Sequence, residues 1–252
     1  MKASLNSVAR IDATGLLFKE LNARLRDAVA KGADRIELRN VCGQRYIGTD
    51  LDRPVEIEIY GTPGNDLGSF LDGPKITVHG NAQDGCGNTM NEGLIVVHGH
   101  AGDIIGMSAR GGKIFVRDDV GYRAAIHMKE YKGKRPMLVV GGTAQDFVGE
   151  YMAGGVLVLL GLTLEGALRH KANFIGTGIH GGVIYLRGTV EEYQLGKEVG
   201  VGELEEKDRE VLGGLIEEFG SHFDYNVKGI AGDKFLKLYP RYLRPYGRLY
   251  AY

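Results

Sequence analysis

Along this chain, pairs of aliphatic residues separated by one other residue return at a near-constant interval. The pairs are Ile36/Leu38, Ile57/Ile59, Ile76/Val78, Ile95/Val97, Ile114/Val116, Leu138/Val140, Leu157/Leu159 and Ile184/Leu186. The central steps, from Ile57 to Ile76, Ile95 and Ile114, are 19 residues each. Such alternation describes a strand with one face buried. One short strand every 19 residues leaves no room for a crossover helix, and a propeller blade needs about 40 residues. The remaining solution is a coil that returns to its start one strand-width further on. The pattern therefore predicts a right-handed parallel β-helix, mainly β, of about eight coils of about 19 residues over 35–190.

The repeat also accounts for the composition. Glycine supplies 40 of 252 residues, about twice the usual share of ~7%. A first set, Gly61, Gly80, Gly99, Gly142, Gly161 and Gly188, closes the strands. A second set lies seven residues later at Gly68, Gly87, Gly106 and Gly149, with Ala125 in an irregular coil. Gly176 aligns with the second set. Tight corners call for positive φ, which glycine adopts without steric cost.

A stacked core needs covered ends. Leu17, Leu21, Leu25, Ala28 and Val29 at helical spacing predict a helix over 15–31 in an N-terminal capping region, 1–34, with Asp12 or Thr14 as N-cap and Gly32 as stop. Leu204, Leu212, Leu215, Ile216 and Phe219 predict a second helix over 203–219, with Glu203, Glu205 and Glu206 in its first turn. It belongs to a C-terminal region, 191–252, that ends in a tyrosine-rich tail. That tail reads as a strap along the solenoid or as a docking arm. Outward strand positions are polar in early coils (Glu37, Glu58, Thr77) and apolar later (Val96, Phe115, Val139, Val158, Leu160, Tyr185). Such a strip must be covered, either by the chain's own termini or by another subunit.

Charge changes little. Lys and Arg number 31 and Asp and Glu 32, a net of −1, so no whole-chain field attracts nucleic acid or acidic lipid. The longest apolar run, around 156–160, is far short of the ~20 residues that span a bilayer. No apolar leader core is visible, and a cytoplasmic protein is expected.

Candidate chemistry is sparse. Gly176-Thr-Gly-Ile-His-Gly181 has the dinucleotide spacing but precedes a strand instead of opening a helix. His79 and His98 occupy equivalent rungs, with His100 close by; they are a metal candidate or a surface ladder. Asp84 and Asp103, with Asn65, Asp146 and Glu165 at the same offset, are a clustered-acid candidate or turn residues. His180 and Cys86 sit in corners without evident partners. The charged insertions 129–135 and 164–172 read as solvated loops or docking surfaces. No catalytic, cofactor-binding or metal-binding residue is predicted.

The string Asn40-Val-Cys-Gly43-Gln44-Arg45-Tyr46-Ile-Gly48, followed by glycine-cornered coils, resembles the GXGXG domain of the glutamate synthase large subunit. The resemblance runs from about Leu16 through Gly188 and extends toward Pro240. It implies a stand-alone, archaeal-type subunit, and a methionine just ahead of the match fits that arrangement. It further implies a non-catalytic brace between a glutamine amidotransferase and an FMN-containing synthase. FMN and iron–sulfur clusters would then sit on partner subunits, and self-association is the alternative when the chain is isolated. The same domain type forms the C subunit of formylmethanofuran dehydrogenase, the main alternative. A self-contained β-helix enzyme on polysaccharide or acyl substrates is a further one. Departures are Asp118-Asp119, where a corner glycine is expected, and the insertion after Lys129.

Overall fold

A computed structural model describes residues 8–242. Eleven strands form one sheet in the order β1-β2-β3-β4-β5-β6-β7-β8-β9-β11-β10. They are β1 (Val8–Asp12), β2 (Arg35–Cys42), β3 (Glu56–Thr62), β4 (Asp72–His79), β5 (Glu92–Val97), β6 (Lys113–Val116), β7 (Met137–Val140), β8 (Ala153–Leu159), β9 (Gly181–Arg187), β10 (Val199–Gly202) and β11 (Phe235–Pro240).

The eight expected strands, β2 to β9, pair in parallel in the register that the repeat dictates. Ile36 faces Ile57, then Ile76, Ile95, Ile114, Leu138, Leu157 and Ile184 in turn. Val78, Val97 and Val116 form one column and are fully buried. The chain is a β-solenoid whose inward aliphatic ladder is its core.

Both ends hold strands that the repeat does not announce. β1 adds a parallel rung ahead of β2, with Ile11 opposite Leu38. At the other end β11 runs antiparallel to β9, and β10 antiparallel to β11. Leu238 is fully buried opposite Ile184, so part of the expected strap is a closing strand. Tyr246, Tyr250 and Tyr252 lie outside the described residues.

Helix α1 (Phe18–Ala30) buries Leu21, Leu25 and Val29. It starts three residues later than expected, and neither Asp12 nor Thr14 caps it. Asp12 instead accepts bonds from Thr14 N (2.9 Å) and Thr14 Oγ1 (2.7 Å), making a tight turn before the helix. Gly32 follows the helix at φ +85°.

Helix α2 (Glu206–Phe223) opens on a capping box between Glu205 and Asp208, which leaves Glu203 outside, and it ends on Asp224 in the left-handed region. It runs four residues beyond the expected end because Phe219 and Phe223 still have surface to cover. Leu212, Leu215, Ile216 and Phe219 pack on Phe115, Val139, Val158, Leu160 and Tyr185. The chain thus covers its own apolar strip, and Val96 is buried as well. Tyr185 Oη donates to Asp208 Oδ1 (2.6 Å), and Lys237 Nζ donates to Oδ2 (2.6 Å), which fixes α2 on the sheet. Among the described residues no helix is long and apolar enough to cross a membrane.

Candidate interaction surface

Between strands, each coil turns through three residues of positive φ, spaced by two. The triplets are Tyr46/Gly48/Asp50, Asp66/Gly68/Phe70, Gly85/Gly87/Thr89, Ile104/Gly106/Ser108, Arg123/Ala125/His127, Phe147/Gly149/Tyr151 and Phe174/Gly176/Gly178. Their backbone bonds alternate in direction. Asp66 N and Phe70 N donate forward to Asp84 O and Asn88 O, while Gly68 N donates back to Ile47 O. At the last coil the forward acceptor is a side chain, since Gly178 N donates to Glu198 Oε2 (3.1 Å).

The middle member faces the core. A Cβ at Gly68 would lie 2.7 Å from Ile95 Cδ1, and one at Gly87 would collide with Ile114 Cδ1. This is the second glycine set of the sequence. The outer members face outward, so side chains fit there at the cost of a left-handed backbone, about 1–2 kcal/mol each. Several are large, exposed aromatics: Tyr46, Phe70, Tyr151 and Phe174, with Tyr122 beside them. Phe147 and Phe174 stack at 4.7 Å with Arg123 over Phe147, and His127 stacks on Tyr151 at 5.4 Å. Arg123 also pairs with Glu150.

Apart from Tyr46, which lies in the Asn40–Gly48 string, these residues are not marked by the sequence pattern. Their types vary from coil to coil, and only their fixed offset, two residues on either side of each corner glycine, marks them.

The Gly43–Tyr46 string anchors the N-terminal cap. Gln44 is buried; its Nε2 donates to Ala13 O (3.1 Å) and Leu16 O (3.2 Å), and its Oε1 accepts from Cys42 N (2.7 Å). Arg45 O accepts from Asn22 Nδ2 on α1 (2.9 Å), and Tyr46 meets Phe18 edge-on at 5.8 Å. Gly43 takes φ +77° and Gly48 φ +73°. The first glycine set ends the strands. At Gly61 a Cβ would run into Val41 O of the coil below, and at Gly188 into Leu168 O.

The acid candidates do not converge as an acid–base pair. Asp84 Oδ1 accepts from Asp103 N (2.9 Å), Asp103 Oδ1 from Tyr122 N (2.8 Å) and Asp146 Oδ1 from Asn173 N (2.8 Å). They tie each coil to the next. In the irregular coil, where Asp118-Asp119 replaces the glycine, Asp119 Oδ1 accepts from Thr143 N (2.7 Å) and Thr163 Oγ1 (2.8 Å). His180 Nδ1 lies 2.9 Å from Gly178 O. The Gly176–Gly181 segment leads into β9, not into a helix.

The histidines form a ring column. Tyr60 stacks on His79 (4.5 Å), His79 on His98 (5.4 Å), and His98 meets Phe223 of α2 edge-on (5.1 Å). His100 turns away, its Nδ1 accepting from Asp119 N. Among the described residues no three His, Cys, Asp or Glu side chains gather as a metal site. Burial pushes His98 down, reinforced by His79 and Arg117; burial also lowers His222, on the same helix end, and His170 in the loop before β9. Glu58 and Glu218 act in the opposite sense on His98 and His222 respectively.

A histidine held below its unfolded value stabilises the fold while neutral and loses that contribution as pH falls below the ordinary 6.5. Thermal unfolding is therefore expected at a lower temperature at pH 5 than at pH 7.5. A His98→Gln, His222→Gln variant should show a flatter profile over that range; an unchanged slope would contradict the assignment.

The cysteines differ sharply. Cys42 is exposed, whereas Cys86 is fully buried and burial pushes its thiol up to about 12. Thiolate is the reactive form. A thiol reagent should label Cys42 in the native protein and reach Cys86 only after denaturation; rapid native labelling of both would contradict this burial.

A model of the GXGXG motif matches residues 30–250. The chain belongs to the GXGXG family. Two of the alternating left-handed triplets carry glycine at two of their three places, Gly85-x-Gly87 and Gly176-x-Gly178. The uncharacterized protein MJ1350 of Methanocaldococcus jannaschii is 47% identical over 248 residues, 95% of each chain. A chain in the crystal structure of the formyltransferase/hydrolase complex (FhcABCD) from Methylorubrum extorquens with methylofuran superposes with a TM-score of 0.64. That match has 17% identity and covers 91% of this chain and 89% of the other. It shows a shared fold.

Proposed function

We propose that this GXGXG chain is a structural subunit of an oxidoreductase complex of the glutamate synthase type, bracing a glutamine amidotransferase and an FMN-containing synthase. The observation that carries this reading is the corner surface. Large aromatics occupy exposed, left-handed positions where glycine costs less. Such side chains fit a surface that another protein covers. Family membership and the Gly43–Tyr46 string support the same reading. The complex would form glutamate from 2-oxoglutarate and glutamine, in the cytoplasm. Its flavin and iron–sulfur clusters belong on partner subunits. One exposed and one buried cysteine do not supply the four thiolates that a cluster takes.

A second reading is favoured by the formyltransferase/hydrolase neighbour. The chain would then be the C-type subunit of a formylmethanofuran dehydrogenase-like complex. Purification of the tagged chain from its own cells separates the two. The first expects a flavoprotein partner and glutamine-dependent glutamate formation, the second a partner with formyl-transfer activity. A chain recovered alone, or one that turns over a substrate unaided, would overturn both.

A further inference from the structure

The two ends of the sheet are finished differently. At the N-terminal end α1 covers the core, and the edge strand β1 carries Arg10 and Asp12 on its exposed face. Charges on an edge discourage pairing with another chain. At the C-terminal end the last strand is β10, and among the described residues no strand pairs with its outer edge. Its sequence is Val-Gly-Val-Gly, with no charge and no proline, and its pairing with β11 shows no bulge. The devices that blunt an edge are absent from it.

The inner neighbour fixes which backbone groups of β10 are free. Arg241 N donates to Glu198 O (2.8 Å), and Pro240, which has no N–H, stands opposite Val199. Bonded and non-bonded places alternate along an antiparallel ladder. Gly200 and Gly202 therefore bond toward β11, and Val201 turns both its N–H and its C=O to the open edge. Val199 turns the same way, but its N–H is already taken by Gly196 O (3.0 Å). The side chain of Val201 stands opposite Leu238 on the ladder side of the sheet. Leu238 is fully buried, yet Val201 is 47% exposed. The aliphatic ladder thus ends on a valine with no rung above it. On the other face the Tyr239 ring lies across Gly200, where a Cβ would come within 2.7 Å of it.

We propose that β10 is a self-association edge, on which a second copy of this chain pairs antiparallel about a two-fold axis through Val201. The register follows from the free groups. Val201 exchanges N–H and C=O bonds with its copy, the C=O of Val199 faces the N–H of Glu203, and Gly200 lies opposite Gly202. The bare valine gains an apolar neighbour, its own copy. Charge selects a second copy as the occupant. Lys197 and Glu203 are both exposed, and neither has an ion-pair partner among the described residues. In this register Lys197 comes opposite Glu205 of the copy and diagonal to its Glu203, and the symmetry repeats the match on the other side. The pairing does not depend on the reading of the chain as a subunit.

The test is sedimentation velocity on the isolated full chain over a wide concentration range, where a concentration-dependent dimer is expected. Val201→Pro deletes the outward N–H and no bond to β11, so it is expected to melt with wild type and to weaken the dimer by about tenfold or more. Val201→Thr keeps the N–H and the shape and is expected to dimerise as wild type. Lys197→Glu is expected to weaken the dimer, and adding Glu203→Lys is expected to recover it, because the two positions approach each other only across the dyad. If Val201→Pro melts early, the charge exchange carries the test by itself. A wild-type chain that stays monomeric would overturn the proposal. So would a dimer indifferent to a folded Val201→Pro, which means another surface, or a Lys197→Glu loss that Glu203→Lys does not recover. A monomeric chain that purifies with a flavoprotein partner would refute the pairing and leave the subunit reading standing. A dimer of the predicted register that purifies without any partner would do the reverse.

Discussion

Gly87→Val is expected to lower the melting temperature by roughly 8–20 °C, from a loss of about 4–5 kcal/mol at 2–4 °C per kcal/mol for a chain of this size. Two costs combine. Gly87 has φ +70°, where a side chain costs about 1–2 kcal/mol and a β-branched one more. Its Cβ would also collide with Ile114 Cδ1, a neighbour held inside the aliphatic column. Overpacking of this kind costs about 1–3 kcal/mol. Gly106→Ala is the matched control. At Gly106, with φ +69°, an added methyl would meet Ile114 Cδ1 at 3.6 Å and Leu138 Cδ2 at 3.8 Å, ordinary contacts. Only the backbone cost of about 1–2 kcal/mol applies, or roughly 2–8 °C. Ala125, fully buried at φ +61°, shows that the fold tolerates a methyl at this place in the neighbouring coil. Thermal melts of the two variants side by side decide the matter. Equal losses would mean that the corner glycines serve backbone conformation alone and not the close approach to the next rung.

The solenoid was legible because its constraint is periodic. Each inward residue must touch its counterpart one coil away, so Ile57, Ile76, Ile95 and Ile114 recur at one spacing and the corner glycines recur with them. Where the spacing breaks, legibility ends. β1 offers only Ala9 and Ile11 inward, and α1 intervenes before Ile36. Leu236 and Leu238 do alternate, but alternation does not encode strand direction, so the antiparallel closure by β10 and β11 was not visible. The apolar strip on later coils announced that something covers it. The competing explanations, own helix or foreign subunit, make identical demands on Phe115 and Tyr185, and only coordinates place α2 there. The corner surface was hidden for a different reason. Outward left-handed positions are constrained in backbone and free in chemistry, so Asp66, Ile104, Arg123 and Phe147 share a place without sharing a type.

That freedom makes the aromatic corner the sharpest test of the scaffold reading. In a triple variant with Phe147, Tyr151 and Phe174 replaced by glycine, three left-handed side chains become residues that adopt the conformation without strain. What is lost is the Phe147–Phe174 stack, the Arg123 contact on Phe147, the His127–Tyr151 stack and the cover that Tyr151 gives Gly178. Exposed stacks of this kind are worth about 0.5–1.5 kcal/mol each, comparable to the strain relieved, so the isolated chain is expected to melt within a few degrees of wild type. Association is expected to suffer much more. Aromatic anchors at an interface centre cost about 2 kcal/mol or more apiece when removed, so loss of all three should weaken partner affinity by at least about a hundredfold. Co-purification of the tagged triple variant with its partner, beside a melt of the same preparation, reads both quantities at once. A folded variant that retains its partner would remove the corner from the interface. A variant that fails to fold would mean that these rings stabilise the solenoid itself, and it would take away the argument that their strain is maintained for a partner.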